Sequence, residues 1–208
     1  MSRLILSLIS SLVSHIIPPR ASERMVESLS PSLLRALVRA DTHTYEGMLP
    51  YHDPRVKALV WELKFYHNPK ALSLAGTILS ERVGEIVAEV LEPVILIPIP
   101  MDPGRRRERG GNHTEALCNE IKRRLGDSCD VSPLLIKQKE TPRQVELPAT
   151  ARRENLKNAF AFRGDTSPAR TYVVIDDVTT TGATFEEAAS TLKQAGASCV
   201  LFLALARS

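Results

Sequence analysis

Two adjacent carboxylates followed by a loop of small residues form the segment of this sequence with the clearest chemical potential. Asp176 and Asp177 come directly after the apolar run Thr171–Ile175, and a helical pattern begins soon after them. The loop between them consists of Thr180, Thr181, Gly182, Ala183 and Thr184. Backbone N–H groups at the positive end of a helix dipole suit a phosphate, and threonine hydroxyls add further donors. Gly182 allows a positive φ angle or a close approach of the backbone to a ligand.

The two acids suit the other end of a phosphorylated sugar, because like charges keep them away from the phosphate itself. Carboxylates accept hydrogen bonds from ribose hydroxyls and hold hydrated Mg²⁺. A sugar diol, a metal ion and a phosphate together describe 5-phosphoribosyl 1-diphosphate (PRPP). The segment is neither a Walker A loop nor a GxGxxG fingerprint. The alternative is an ordinary strand–turn–helix junction, capped by Thr181 or Thr184, with a solvated acid pair.

A run of arginines follows a second apolar strand pattern, Val94–Ile99, and a proline-rich loop. The run consists of Arg105, Arg106, Arg107 and Arg109. Guanidinium groups bind phosphate in bidentate fashion, which suits a diphosphate. Alternatively, these arginines contact a nucleic-acid backbone or simply face the solvent.

The elements that must position these groups alternate between strand and helix from residue 93 onward. A parallel, twisted sheet flanked by helices is therefore predicted, which is an α/β fold, with ligands beyond the carboxyl ends of the strands. The predicted elements are Val94–Ile99, Asn112–Leu125, Val131–Ile136, Thr171–Ile175, Thr184–Ala195 and Ser198–Ala206.

The N-terminal part is predicted to be helical, with residues 1–50 as an appendage and 51–208 as the main domain. Asn68-Pro69 separates two predicted helices, Asp53–Tyr66 and Lys70–Val90. Shorter helical pieces are expected at Arg3–Ile16 and Ser30–Ala40. The first has an apolar face that packs in the core or contacts a partner or membrane surface. It is shorter than the ~20 residues of a spanning helix, so no stable membrane insertion is expected.

The composition is that of an ordinary soluble protein: 208 residues, 43% hydrophobic, 25% charged, with a formal net charge of +3. This balance does not by itself indicate a nucleic-acid partner. Cys118, Cys129 and Cys199 are scattered and form no CxxC pair, so neither a disulfide framework nor a zinc site is predicted. A reducing cytoplasm is the expected location.

The segment VVIDDVTTTGAT resembles the PRPP-binding signature of type I phosphoribosyltransferases. The resemblance implies that Asp176 and Asp177 bind the ribose hydroxyls and Mg²⁺, and that Thr180 to Thr184 bind the 5′-phosphate. It also implies the type I phosphoribosyltransferase fold with an N-terminal helical hood.

Further segments resemble the ComF/GntX family, whose members are associated with DNA uptake in natural competence. The matching segments are YEGMLPYHDPRVKALVWELKFYHN, IPIPMDPGRRRERGGNHTEAL, TPRQVEL and RRENLKNAFAF, in that order along about residues 45–207. In that family the loop Ile99–Gly104 faces the pyrophosphate, and Lys137–Leu147 resembles a mobile loop that closes over PRPP. By this resemblance Lys137, Lys139 and Arg143 meet the diphosphate, although a surface loop without a ligand is the alternative.

The chain departs from the family pattern in three places. The usual cysteine-rich zinc ribbon is absent, and Gly111-Asn112-His113 replaces an aromatic-Asn-Gln segment. Thr180 aligns with the aspartate base of enzymes that act on 6-oxopurines, which argues against that substrate class. The histidines His113 and His67 are expected to have structural roles.

Two function classes follow. The first is an enzyme that transfers the phosphoribosyl group of PRPP to a nucleobase-like nitrogen acceptor with release of pyrophosphate. The second is a non-catalytic PRPP-binding regulator, or an accessory of competence proteins that binds single-stranded DNA. A homo-oligomer is compatible with either.

Overall fold

The computed structural model describes residues 20–38, 46–138 and 158–208, and the elements given below belong to these ranges. The helices are α1 (Ala21–Ser28), α2 (Pro31–Arg35), α3 (Pro54–Tyr66), α4 (Pro69–Val90), α5 (Pro103–Arg109), α6 (His113–Leu125) and α7 (Ala183–Gln194). The strands are β1 (Glu46–Pro50), β2 (Val94–Pro98), β3 (Cys129–Val131), β4 (Leu135–Lys137), β5 (Phe160–Phe162), β6 (Thr171–Thr179) and β7 (Cys199–Arg207). A short 3₁₀ turn, Gly126–Ser128, joins α6 to β3.

Five strands form one parallel sheet in the order β1-β7-β6-β2-β3, while β4 and β5 form a separate antiparallel pair. From β2 the chain passes through α6 to β3 on one side, and from β6 it passes through α7 to β7 on the other. The two connections therefore diverge between β2 and β6. In open α/β sheets such a divergence leaves a crevice at the carboxyl ends of the two strands, where ligands bind.

Side-chain caps explain where the long helices of the N-terminal half begin. The Asp53 carboxylate accepts a hydrogen bond from the Arg55 backbone N–H, and Pro54 occupies the first helical position of α3. The Asn68 side chain caps α4 in the same manner, followed by Pro69. Both helices thus begin within one residue of the predicted positions.

The core lies on both faces of the parallel sheet. Val173 and Ile175 of β6 pack in the larger cluster with α1–α4 and α6. Tyr172 and Val174 point to the other face, where they pack with α7 and the β4–β5 pair. This alternation is the period of two expected of a β-strand buried on both faces.

A fully buried carboxylate joins α1 to α3. Glu62 accepts hydrogen bonds from the Arg20 guanidinium at 2.9 and 3.1 Å, from the Ser22 hydroxyl at 2.6 Å and from the Asn68 amide at 3.1 Å. Burial opposes its charge, but these donors outweigh burial and lower the pKa of Glu62. A buried carboxylate of this kind requires such partners, so α1 is held firmly against α3.

The described part of the predicted appendage packs directly on the main domain. Val26 and Leu34 are completely buried in the same core cluster as the sheet. Glu46–Pro50, which the sequence analysis assigned to the appendage, is the edge strand β1 beside β7. The division at residue 50 remains a prediction, while the core itself continues across it.

Several predicted elements differ from those of the structure. The predicted strand Val131–Ile136 is in fact two strands, β3 in the parallel sheet and β4 in the antiparallel pair, because Pro133 lies between them. Helix α1 was not predicted, and Ser30–Ala40 is represented by the shorter α2. The predicted helix Arg3–Ile16 lies outside the described residues. None of the helices that the structure describes is long and apolar enough to cross a membrane.

Candidate ligand site at the carboxyl ends of β2 and β6

Asp176 and Asp177 lie within β6, which continues to Thr179, rather than after the end of the strand as the sequence predicted. Strand alternation therefore sends the two carboxylates to opposite faces of the sheet. Asp177 lies on the face of Ile175, towards α3 and α6, and Asp176 lies on the face of Val174, towards α7 and β4. The pair that looks uniform in the sequence thus has two different environments.

Asp177 contacts a lysine and a histidine side chain from two other elements. Its Oδ2 atom lies 2.9 Å from Nζ of Lys64 in α3 and 2.6 Å from Nε2 of His113 at the start of α6. The carboxylate side chain is only 5% exposed. Burial opposes its charge, but Lys64 and then His113 outweigh burial and lower the pKa of Asp177 well below its ordinary value.

His113 is positioned by the turn that precedes α6. Asn112 caps the helix, and its side-chain amide donates to the Ile99 carbonyl at 3.1 Å. The Thr114 hydroxyl donates to the same carbonyl at 2.7 Å. These two hydrogen bonds fix the end of β2 to the start of α6. The contact between His113 and Asp177 was not predicted from the sequence, and the structural role expected for His113 stays a prediction.

Asp176 is the carboxylate that lacks a close cation among the contacts seen in the described structure. Its Oδ1 atom accepts a hydrogen bond from the Asp177 backbone N–H at 2.8 Å. Burial and the neighbouring Asp177 charge raise its pKa above the ordinary value, and the more distant Lys64 only partly offsets them. A cation brought by a ligand would therefore relieve an unfavourable charge at this position.

The small-residue loop connects Asp177 to α7, a helix of 12 residues. Gly182 has a φ of +78°, a left-handed conformation that glycine adopts without the penalty a side chain would add. Its carbonyl accepts the first helical hydrogen bond from Glu186 at 2.9 Å. Thr180 and Thr181 are exposed, whereas Ala183 is buried and Thr184 half-buried. The turn therefore joins β6 to the first turn of α7, and anion binding at this helix N-terminus stays a prediction.

The arginine run forms a short helix, α5, rather than a loop, because Asp102 caps its first turn by accepting from Gly104 and Arg105 N–H groups. The side chains consequently diverge. Arg106 makes a bidentate ion pair with Glu115 at 2.8 Å, and the Arg109 guanidinium lies 4.6 Å above the Phe65 ring.

Arg107 donates to the Pro103 carbonyl at 3.4 Å, which keeps it on its own helix. Arg105 is the member of the run whose charge acts on Lys137 of β4. Burial and then Arg105 lower the pKa of Lys137, while Asp102 and Asp176 act in the opposite direction. Arg105, Lys137 and Asp176 thus converge at one end of the crevice. Lys139 and Arg143 lie outside the described residues.

The residues fit a divalent cation that arrives with a phosphorylated ligand. Among the described residues no group of three or more His, Cys, Asp and Glu side chains could form a metal cage. Mg²⁺ is commonly held through one or two carboxylates, with water and substrate phosphates completing its octahedron. Asp176 would supply such a carboxylate, and Asp177, held by Lys64 and His113, would support it from the other face.

A parallel sheet that carries an acid pair and a glycine-containing turn at its topological switch point defines a protein of the type I phosphoribosyltransferase fold. DNA utilization protein YhgH of Salmonella typhimurium (strain LT2) is 32% identical over 159 residues, covering 76% of this chain and 69% of the relative. Competence protein F of Haemophilus influenzae (strain Rd) is 35% identical over 118 residues, covering 56% of this chain and 51% of the relative. The chain belongs to the ComF/GntX family.

Two other comparisons add little to this assignment. No family model matches the chain. A hypoxanthine phosphoribosyltransferase from Staphylococcus aureus superposes with a TM-score of 0.41 and 9% identity, over 64% of this chain and 63% of the other. The fold assignment does not depend on this partial likeness. It rests on the sheet, the signature segment and the sequence relatives.

Proposed function

We propose that the protein binds PRPP together with Mg²⁺ in the crevice between β2 and β6, and transfers the phosphoribosyl group to a nitrogen acceptor with release of pyrophosphate. The observation that carries the proposal is the uncompensated Asp176 carboxylate, between an anion-binding turn on one side and Arg105 with Lys137 on the other. The carboxylate suits the ribose hydroxyls with Mg²⁺, the turn suits the 5′-phosphate, and the two cationic side chains suit the diphosphate.

The 5′-phosphate is assigned to the turn from Thr180 to Thr184. The N–H groups at the start of α7 and the exposed hydroxyls of Thr180 and Thr181 are donors for an anion. Asp176 and Asp177 would repel a phosphate, which keeps the phosphate at the helix end and leaves the acids for the ribose hydroxyls and the metal.

The diphosphate is assigned to the end of the crevice where Arg105 and Lys137 converge. Burial and then the charge of Arg105 lower the pKa of Lys137, so an anion bound beside Lys137 would offset the cost of its buried charge. A diphosphate would supply such an anion. The contribution of Lys139 and Arg143 remains a prediction, whereas Arg106, Arg107 and Arg109 have the other neighbours described above and are not assigned to the diphosphate in this proposal.

In the proposed reaction the nitrogen of the acceptor forms a bond to ribose C1 as the bond from C1 to the diphosphate oxygen breaks. Mg²⁺, when bound, would neutralise the charge on the departing diphosphate and orient it. The chain's own groups would hold both ends of PRPP, so that C1 is fixed between them, and Arg105 with Lys137 would stabilise the charge that develops on the leaving group.

The experiment that tests this function is release of pyrophosphate from PRPP and Mg²⁺ in the presence of a panel of nucleobases and other nitrogen acceptors. We expect release with an acceptor and none in the Asp176→Asn variant. If PRPP binds but none of the acceptors causes release of pyrophosphate, transfer to the tested acceptors is excluded. The function that then remains is that of a non-catalytic PRPP-binding regulator.

A second function, handling of single-stranded DNA, is favoured by a separate observation. The sequence relatives are named for DNA utilization and competence. In this chain Arg106 and Arg107 are exposed on α5, and their ion pair with Glu115 and hydrogen bond to the Pro103 carbonyl lie at the surface, where a nucleic-acid backbone could compete for them. The two functions are compatible, since they use different side chains.

A further inference from the structure

Three aromatic side chains at the carboxyl-terminal end of α3 are exposed. Trp61 is 51% exposed, Phe65 39% and Tyr66 44%. Trp61 and Phe65 are one helical turn apart, with ring centroids separated by 4.4 Å, so they form one continuous face. Clustered exposed aromatic rings on a soluble protein usually mark a binding surface.

Positive groups surround these rings. The Arg109 guanidinium lies 4.6 Å above the Phe65 ring, and exposed Lys57 lies one turn before Trp61 on α3. Arg20 lies 3.6 Å above Tyr66 and also neutralises the buried Glu62. Helix α5, which provides Arg109, contains four arginines and one glutamate. We call the face formed by Lys57, Trp61, Phe65 and Arg109 the aromatic surface.

We propose that the aromatic surface binds single-stranded nucleic acid by stacking unpaired bases on Trp61, whose ring is supported by Phe65. Every base offers a π-face that stacks on an aromatic ring, while nearby Lys and Arg side chains attract the phosphate backbone. A duplex hides its base faces within the stack and cannot use the rings. The surplus of cationic groups favours a polyanion over an apolar protein partner.

This inference rests on the second proposed function and is independent of PRPP binding, because neither Trp61 nor Phe65 belongs to the crevice between β2 and β6. DNA and RNA strands share the chemistry that the surface recognises. Separate DNA and RNA arms of the experiment identify which of the two is bound more tightly.

Trp61 is the single tryptophan of the chain, so its fluorescence reports on this surface alone. The chain of 208 residues is titrated with oligothymidylate of about 16 nucleotides, the matching oligouridylate, a duplex and an abasic oligodeoxynucleotide of equal length. We expect both single strands to quench the fluorescence, and the duplex and abasic strand, which lack accessible bases, to leave it nearly unchanged.

Variants then test the contact through the anisotropy of a labelled oligonucleotide. Trp61→Ala should weaken binding about 5- to 150-fold, Trp61→Phe should retain most of it, and Phe65→Ala should weaken it similarly to Trp61→Ala. Leu91→Ala, which removes another exposed large side chain at the end of α4, is the matched control and should bind normally. If Trp61→Ala fails to fold, two measurements still test the contact. These are the oligonucleotide affinity of Phe65→Ala and the fluorescence quenching of the native protein.

Binding of oligonucleotide without quenching, and with normal affinity in Trp61→Ala and Phe65→Ala, would overturn the inference while leaving DNA handling in place. Absence of any oligonucleotide binding would overturn both. Quenching that follows protein concentration rather than oligonucleotide concentration would show that a second copy covers the surface, which also contradicts the proposal. A thermal shift with PRPP and Mg²⁺ in each variant reports the other site separately.

Discussion

The ion pair between Lys64 and Asp177 offers a quantitative test of how the candidate site is built. Lys64→Met keeps the length of the side chain but removes its charge, leaving the buried Asp177 with His113 at 2.6 Å as its remaining partner. Removal of one partner from a buried pair costs about 3–5 kcal/mol. Because His113 remains and Lys64 is itself 26% exposed, we expect a smaller loss, about 2–3 kcal/mol.

In a chain of this size each kcal/mol shifts the melting temperature by about 2–4 °C, so the variant should melt about 4–12 °C lower. Lys122→Met is the matched control. Its Nζ atom lies at the same distance, 2.9 Å, from an Asp130 oxygen, but both side chains are more exposed to water. Solvent screening makes such a pair nearly neutral, so its melting temperature should hardly change.

The pH dependence of stability tests whether the loss in Lys64→Met comes from the charge of Asp177. The pKa of Asp177 is lowered in the folded state, so its stabilising contribution is complete above the ordinary aspartate pKa and is lost as the pH falls through the folded value. The part of the difference between native protein and Lys64→Met that comes from Asp177 should therefore be complete above about pH 4 and shrink below it.

The same substitution in an Asp177→Asn background should cost little, because the charge that Lys64 neutralises is gone. Thermal and urea denaturation of the four proteins give the coupling free energy. An unchanged stability of Lys64→Met, or an equal loss in both backgrounds, would show that Asp177 does not depend on Lys64.

Two further predictions address the anion-binding parts of the site. In calorimetric titrations, Arg105→Ala should weaken PRPP binding about 10-fold or more. It should barely affect the binding of ribose 5-phosphate, because that ligand lacks the diphosphate. Arg106→Ala is the control and should change neither affinity, because the Arg106 guanidinium is held by Glu115. Gly182→Ala and Gly126→Ala should each lose about 1–2 kcal/mol of stability, because both residues have positive φ, yet only Gly182→Ala should lose the PRPP-induced thermal shift. A normal shift in Gly182→Ala would remove the turn from the phosphate site.

Local signals in the sequence predicted most of the fold. Asp53-Pro54 and Asn68-Pro69 indicate where α3 and α4 begin, and the continuous apolar runs indicate the buried strands β2 and β6. Edge strand β1 escaped prediction because its five residues, EGMLP, combine polar, glycine and proline positions without a period. Its structure depends on pairing with β7, which no local pattern reports.

The candidate site was only partly predictable for a related reason. The acid pair and the turn that follows it are contiguous in sequence, so their chemistry can be recognised there. The partners of Asp177 come from helices that lie 113 and 64 residues before it, and only the folded sheet brings Lys64 and His113 to one carboxylate. The arginine run was expected to act as a unit, yet its helical conformation directs Arg105 and Arg109 to different neighbours.

The central claim, that PRPP and Mg²⁺ bind at Asp176 and the adjoining turn, is tested most directly by titrating the native protein and Asp176→Asn with PRPP in the presence and absence of Mg²⁺. A ligand at 100 times its dissociation constant stabilises a protein by about 2.7 kcal/mol, which corresponds to a rise in melting temperature of several degrees. We predict this rise for the native protein only when Mg²⁺ is present, and its loss in Asp176→Asn. An unchanged melting curve of the native protein at millimolar PRPP with Mg²⁺, or an equal rise in the variant, would contradict the account.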